Sequence, residues 1–158
     1  MISALVKRFP QTIIGIKDSG CEREWSLGLA RAFMPPEPKA NSTSIQVWVG
    51  NEPDLQVMAA QGTVGAVSGV ANVTPKLVAR MVAEHAGPSA ARDMARVQEL
   101  LKILFGYGLT ATFKGVMAIL TGHAGWRRVR APLVALTDAE FAALQGQMKA
   151  FALDQAVD

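Results

Sequence analysis

Three short apolar segments alternate with helical segments in the first half of the chain, and this alternation restricts the fold more than any other feature. The apolar segments are Thr12–Ile16, Ile45–Val49 and, more briefly, Gly65–Ser68. They are short for helices and lack the polar alternation of a half-exposed strand. Strands of this kind are typical of parallel sheets that helices cover on both faces. The pattern therefore predicts three successive parallel strand–helix units.

Amphipathic helices are predicted around these strands. The expected helical segments are Ile2–Phe9, Glu22–Phe33, Asp54–Gln61 and Pro75–Ala86, where apolar residues recur on one face. Met34–Ser44 contains three prolines and is predicted to be a loop.

From residue 89 onward the pattern is helical. One long amphipathic helix is followed by a second at Phe113–Leu120, and Thr137 and Glu140 form a capping box that begins the last helix. We therefore predict strand–helix units in residues 1–88 and a helical extension in residues 89–158, joined in one continuous structural unit.

The composition excludes several classes of protein. The chain has 158 residues, a net charge of +3 and one cysteine, Cys21. An internal disulfide is impossible, and the charge is too small to indicate nucleic-acid binding. No apolar run of membrane-spanning length occurs, and His85 and His123 stand apart from other potential ligands. We expect a cytoplasmic protein without a metal, a cofactor, a membrane or a nucleic acid as partner.

Lys17 follows the first predicted strand directly. Side chains at the carboxyl ends of strands in an α/β barrel face the active site. An amine held in apolar surroundings is more readily neutral and becomes a usable nucleophile. The pattern therefore allows a Schiff-base lysine, but it also allows a surface lysine that ends a strand, which is the commoner case.

Two further strand ends carry small and polar residues. The second predicted strand ends in Gly50-Asn51-Glu52, and the third ends in Ser68-Gly69. In a barrel these residues share a face with the end of the first strand. Glycine permits a ligand to approach the backbone, and the polar side chains can bind hydroxyl or carboxyl groups. Ordinary turn chemistry also explains these residues, and from the pattern alone it is the favoured interpretation.

Other motifs are less specific. No glycine spacing matches a nucleotide-binding loop, and no Gly-x-Ser-x-Gly motif is present. Arg127, Arg128 and Arg130 beside Trp126 allow an anion site, although a solvated loop is the commoner outcome.

The segments Gly15–Ser19, Val49–Glu52 and Gly65–Pro75 carry three motifs that occur in order and at suitable distances. Together they resemble the dihydrodipicolinate synthase and N-acetylneuraminate lyase family of class I aldolase barrels, and Arg130–Leu133 also fits. The resemblance implies an α/β fold made of about the last three βα units of a (β/α)₈ TIM barrel, followed by a C-terminal helical extension. The form of the third motif is most similar to members that act on 2-keto-3-deoxy sugar acids, or to uncharacterised relatives of them.

The resemblance also implies a function. Lys17 matches the lysine that forms an imine with pyruvate or another 2-oxo acid, which makes the chain a lyase or aldolase that cleaves or forms a C–C bond. Val67 and Ser68 match the pyruvate pocket, and the second strand end matches substrate-contacting positions. The implied substrate-binding residues are Gly50, Asn51, Glu52, Val67, Ser68 and Gly69.

The chain departs from the family pattern in its extent. A complete barrel of this type needs about 250 residues, and the N-terminal carboxylate-binding turn and the catalytic tyrosine motif of the family are absent from this sequence. Its only tyrosine, Tyr107, does not match. We therefore expect a truncated chain that is inactive alone and that forms a homo-oligomer or requires a complementing N-terminal half. The alternative is a non-catalytic remnant that acts as a structural or interaction module.

Overall fold

The structure is a computed structural model that describes residues 1–35, 44–63 and 65–153. In this part of the chain, helices and a small parallel sheet form an α/β arrangement, which confirms the predicted class. The elements are α1 (Ile2–Arg8), β1 (Gly15–Asp18), α2 (Arg23–Phe33), β2 (Gln46–Val49), α3 (Leu55–Ala59), α4 (Pro75–Ala83), α5 (Ala90–Leu104), α6 (Leu109–Thr121) and α7 (Asp138–Phe151). Short 3₁₀ turns occur at Glu52–Asp54, Val70–Asn72 and Ala124–Arg127. Most of the predicted loop Met34–Ser44 lies outside the described residues.

The first strand begins later than predicted. β1 is Gly15–Asp18, so the predicted strand at Thr12–Ile16 exists but is wrong in its bounds and in its burial. The amides of residues 12 and 13 both donate to the Phe9 carbonyl oxygen, at 3.1 and 3.0 Å, and so continue the turn after α1. Pairing starts at Ile14, whose carbonyl oxygen accepts the first hydrogen bond from β2 at 3.0 Å. Ile14 is 67% exposed, so an apolar run alone did not indicate burial.

The sheet is parallel, as predicted. β1 pairs with β2 in a register that runs from Gly15 opposite Gln46 to Asp18 opposite Val49. On the other side of β2, Val49 donates to the Gly65 oxygen at 3.3 Å and accepts from the Val67 amide at 2.9 Å.

The third predicted strand, Gly65–Ser68, is therefore wrong in extent. Only Ala66 forms a bridge to Val49 within the described residues, and residue 64 lies outside them. A ladder needs successive paired residues, and the apolar pattern cannot show how many of them find a partner.

The chain forms two compact units, each of which has its own core. The first unit comprises Met1–Ser68 and Val78–Ala91. β2 packs against α2 in this unit and directs Val47 and Val49 into its core. The other buried apolar residues there include Val6, Leu29, Phe33, Leu55 and Met58.

The second unit comprises Gly69–Leu77 and Arg92–Asp158. Its core side chains include Val97, Leu100, Leu104, Val116, Leu144, Met148 and Phe151. α6 begins at Leu109, four residues before the predicted start at Phe113. The prediction missed this first turn because it consists largely of alanine and threonine, which the apolar pattern does not mark as helical. The division at residue 88 stays a prediction.

The predicted capping box at the start of α7 is confirmed. The Glu140 amide donates to Thr137 Oγ1 at 3.2 Å, and the Thr137 amide donates to Glu140 Oε2 at 2.8 Å. The Glu140 carboxyl accepts hydrogen bonds from the backbone and the side chain of Thr137. These bonds, the backbone one most, lower the pKa of Glu140 below its ordinary value of 4.5, because they stabilise the charged form of the carboxyl group.

Within the described residues, no single helix has both the length and the apolar character to cross a membrane. α5 and α6 have the required length and apolar character only when they are taken together, and the pair is bent by 108° at its junction.

Candidate active site

Lys17 is the third residue of β1 and lies opposite Trp48 of β2. Its side chain is exposed, and its stem runs over Gly50, the residue that follows β2. A methyl group at Gly50 would lie 2.7 Å from Lys17 Cε and 2.1 Å from Ser19 Oγ. Only a residue without a side chain leaves room for Lys17 and Ser19 in these positions.

The backbone of Gly50 also continues the sheet. Its amide donates to the Asp18 carbonyl oxygen at 2.7 Å, one step beyond the last paired residues of β1 and β2. The two strand ends are thereby held side by side, with Lys17 above them.

Lys17 shares a face of the sheet with Gly15, Gln46 and Trp48, because paired residues of parallel strands point the same way and alternate along the strand. The Trp48 ring covers Gly15 so closely that a methyl group there would lie 2.1 Å from a ring carbon. This face is half-buried, whereas Val47 and Val49 on the opposite face are buried. The sheet therefore presents an aromatic ring, an amide and the lysine on the face opposite its core.

The side chains after β2 are held by hydrogen bonds within the first unit. Asn51 Nδ2 donates to Asp54 Oδ2 at 2.7 Å, and Arg23 Nε donates to Asp54 Oδ1 at 2.7 Å. Glu52 is 7% exposed and accepts a hydrogen bond from Ser68 Oγ at 2.5 Å. The predicted strand-end residues Glu52 and Ser68 therefore meet.

The turn after β1 is held in the same manner. Asp18 accepts from the Gly20 amide at 3.0 Å and from Ser26 Oγ of α2 at 2.5 Å. Cys21 in this turn is exposed and has a left-handed backbone, with φ of 58°.

Two predicted site residues, Val67 and Gly69, take no part in these side-chain hydrogen bonds. Val67 pairs with Val49 through its backbone and is 50% exposed. Gly69 belongs to the second unit, where a methyl group on it would lie 3.0 Å from the Phe113 ring. The binding role of each predicted residue stays a prediction.

Sequence reasoning missed Arg23, Ser26 and Asp54. Arg23 and Asp54 are 31 residues apart, and no motif connects them. Asp54 is the first residue of the predicted helical segment Asp54–Gln61, and the structure shows that it is only 4% exposed. In the described part of the chain, no group of three or more His, Cys, Asp and Glu side chains is arranged to hold a metal ion.

Comparison with known proteins identifies the family. The family model described as the dihydrodipicolinate synthetase family matches residues 4–151, and the chain belongs to this family. The resemblance predicted from the three motifs is thus confirmed. No curated protein sequence matches the chain.

Solved structures of the family share the fold. Dihydrodipicolinate synthase from Agrobacterium tumefaciens str. C58 is 27% identical, with a TM-score of 0.77 over 95% of this chain and 47% of that chain. N-acetylneuraminate lyase from Proteus mirabilis is 22% identical, with a TM-score of 0.74 over 96% and 49%. YagE, a prophage protein of the dihydrodipicolinic acid synthase family from E. coli K12, solved in complex with pyruvate, is 17% identical, with a TM-score of 0.74 over 96% and 51%. The chain spans about half the length of these proteins.

Proposed function

We propose that the chain supplies Lys17 as the imine-forming lysine of a lyase or aldolase that acts on pyruvate or another 2-oxo acid, with 2-keto-3-deoxy sugar acids as one candidate class. The observation that carries the proposal is the contact between Lys17 Cε and Gly50 at the carboxyl ends of two adjacent parallel strands. Active sites in barrels of this type lie at that end of the strands.

The chemistry follows from the amine. The neutral amine of Lys17 attacks the C2 carbonyl carbon of the oxo acid to give a carbinolamine, which takes up a proton from solvent and loses water to give a protonated imine. The imine accepts the electron pair released when a bond at C3 breaks, whether that bond is to hydrogen or to carbon. The resulting enamine is protonated after cleavage, or it attacks an aldehyde carbonyl in condensation. The step requires no cofactor.

The other site residues are proposed to bind the substrate. Val67 and Ser68 would line the pyruvate pocket, and Gly50, Asn51 and Glu52 would contact the rest of the substrate. The hydrogen bond between Ser68 and Glu52 supports this assignment, because it joins the two strand ends within one unit. The binding role of Gly69, which belongs to the second unit, stays a prediction.

We propose further that a complementing N-terminal half covers the open side of β1. Within the described residues β1 pairs only with β2, so the N–H and C=O groups of Gly15 and Lys17 point towards its other edge. An unpaired edge is a template for another strand. Because the relatives are about twice as long, the remaining strands of a barrel are the expected partner, and a second copy of the chain is the alternative partner.

We also propose a cytoplasmic location for the chain, because a reducing compartment suits the free Cys21.

Reductive trapping tests the function. The chain is incubated with pyruvate and borohydride, alone and with the N-terminal half of the Agrobacterium enzyme, and the modified peptide is located by mass spectrometry. We expect a reduced pyruvate adduct on Lys17 that is absent in Lys17→Gln. No adduct in the presence of the complementing half would contradict the proposal.

One observation favours a second candidate function. Lys17 is exposed, while Asn51 and Glu52 already bond to protein side chains. These features suit a non-catalytic remnant that serves as a structural or interaction module. Such a module would bind the complementing half without forming the adduct.

A further inference from the structure

One face of α2 holds the chain segments that follow both strands. Arg23 and Ser26 are three residues apart and therefore neighbours on the helix surface. Ser26 donates to Asp18, the last residue of β1, and Arg23 donates to Asp54, which lies beyond the end of β2. We propose that Arg23 and Asp54 are positioning residues that hold the Gly50–Asn51 segment against Lys17.

The bonds to Asp54 fix both of its oxygens. Oδ1 accepts from Arg23 and Oδ2 accepts from Asn51, each at 2.7 Å, and Asp54 is 4% exposed. A buried carboxylate is costly unless such donors surround it, so the loss of either donor is expected to displace it. Arg23 Nη2 also approaches the Pro53 carbonyl oxygen at 3.4 Å, which ties the backbone of the same loop to α2.

The loop is connected to Lys17 through one residue. Asn51, which is bound to Asp54, directly follows Gly50. The Gly50 amide donates the hydrogen bond to the Asp18 carbonyl oxygen, and Gly50 is also the residue in close contact with Lys17 Cε. If Asn51 is released, Gly50 loses its anchor on one side, and the Lys17 side chain gains other conformations. The reactive arrangement then becomes a smaller fraction of the population.

This inference rests on the proposed imine chemistry for its first test. A smaller reactive fraction raises the apparent dissociation constant in proportion. For Arg23→Gln and Asp54→Asn, we expect the pyruvate concentration at half-maximal trapping to rise about fivefold, as suits a hydrogen bond between a buried carboxylate and a half-exposed arginine. The amount of adduct at saturating pyruvate should not change. Arg23→Lys, which retains a charged donor, should recover most of the wild-type value.

Arg92→Gln is the matched control. Arg92 also pairs with a buried aspartate, Asp93, but at 3.5 Å and with 75% of its side chain exposed. It lies outside the first unit, so trapping should be unaffected. An unchanged half-maximal concentration in Arg23→Gln, or an equal rise in Arg92→Gln, would overturn the inference.

Hydrogen exchange of the Gly50 amide tests the inference without the chemistry. We expect this amide to exchange faster in Arg23→Gln and Asp54→Asn than in the wild-type chain, and to be restored in Arg23→Lys. Equal exchange rates in all variants would contradict the positioning role. A wild-type chain that forms no adduct would refute only the proposed function, since the exchange experiment still decides this inference.

Discussion

The substitution Gly50→Ala places a methyl group in the space that the Lys17 and Ser19 side chains occupy. The new carbon would lie 2.1 Å from Ser19 Oγ, 2.7 Å from Lys17 Cε and 2.9 Å from the Asp18 carbonyl oxygen. Gly50 does not have a left-handed backbone, so the effect is steric and not conformational.

The three contacts have different consequences. The ends of the Lys17 and Ser19 side chains can rotate away, which relieves the two shortest contacts at small cost. The Asp18 oxygen belongs to the backbone and also accepts the Gly50 amide at 2.7 Å, so it cannot move without weakening the sheet. Overpacking of this kind typically costs about 1–3 kcal/mol, and the rotation of two side chains places Gly50→Ala towards the lower end. At about 2–4 °C per kcal/mol for a chain of this size, Tm should fall by a few degrees.

Trapping with pyruvate separates this local effect from general destabilisation. We expect the Gly50→Ala variant to lose most of its adduct on Lys17 at a temperature where circular dichroism shows it to be folded. Gly28→Ala provides the control, because a methyl group at Gly28 of α2 meets no atom within 4 Å. Alanine is favoured over glycine there by about 1 kcal/mol, so Gly28→Ala should be more stable and should react normally.

The reasoning is refuted if Gly50→Ala traps pyruvate on Lys17 as well as the wild-type chain does. An unchanged Tm with lost trapping would show that the side chains absorb the whole strain. Equal loss of trapping in Gly28→Ala would show that the assay reports something other than the Gly50 contact.

Two further predictions concern the second unit. Gly115→Ala puts a methyl group 2.8 Å from the buried Leu144 and should lower the free energy of unfolding in urea by about 1–2 kcal/mol. Gly146→Ala, whose methyl group meets no atom within 4 Å, should raise the free energy of unfolding by about 0.5–1 kcal/mol. The reverse order of the two variants would contradict the packing around Gly115. Because the folded-state pKa of Glu140 is lowered from 4.5, its stabilisation is present above that value and is lost as the pH falls through the lower folded pKa. The Tm difference between wild type and Glu140→Ala should therefore be largest near neutral pH and should shrink below pH 4.5; a constant difference would argue against it.

Local chemistry made parts of the fold predictable. The start of α7 depends on Thr137 and Glu140, which are three residues apart, and the sequence pattern located it correctly. α2 was located to within a residue from its apolar periodicity. β1 was misplaced because its bounds depend on Phe9 and on β2 and not on its own residues. The residues of a strand do not by themselves determine which other segment pairs with it.

The same distinction applies to the candidate site. The motifs around Lys17 and Gly50 were recognisable because they resemble those of a known family. The hydrogen bonds that hold them were not recognisable, because Arg23 and Asp54 are 31 residues apart and no motif connects them. Their connection depends on how α2 packs beside β2, which only the folded structure defines.

The exposed start of β1 yields the last prediction. Ile14 is 67% exposed next to the open edge of the strand, and Val134 of the second unit is 80% exposed. Substitution of either residue by lysine should change the stability of the isolated chain by less than about 0.5 kcal/mol, since neither side chain is packed. If strands of a complementing half or of a second copy cover β1, Ile14→Lys must bury a charge in the new interface. It should therefore weaken association in sedimentation experiments, whereas Val134→Lys should not. Equal association of both variants would show that the partner does not cover β1, and the open edge would then belong to a chain that functions uncovered.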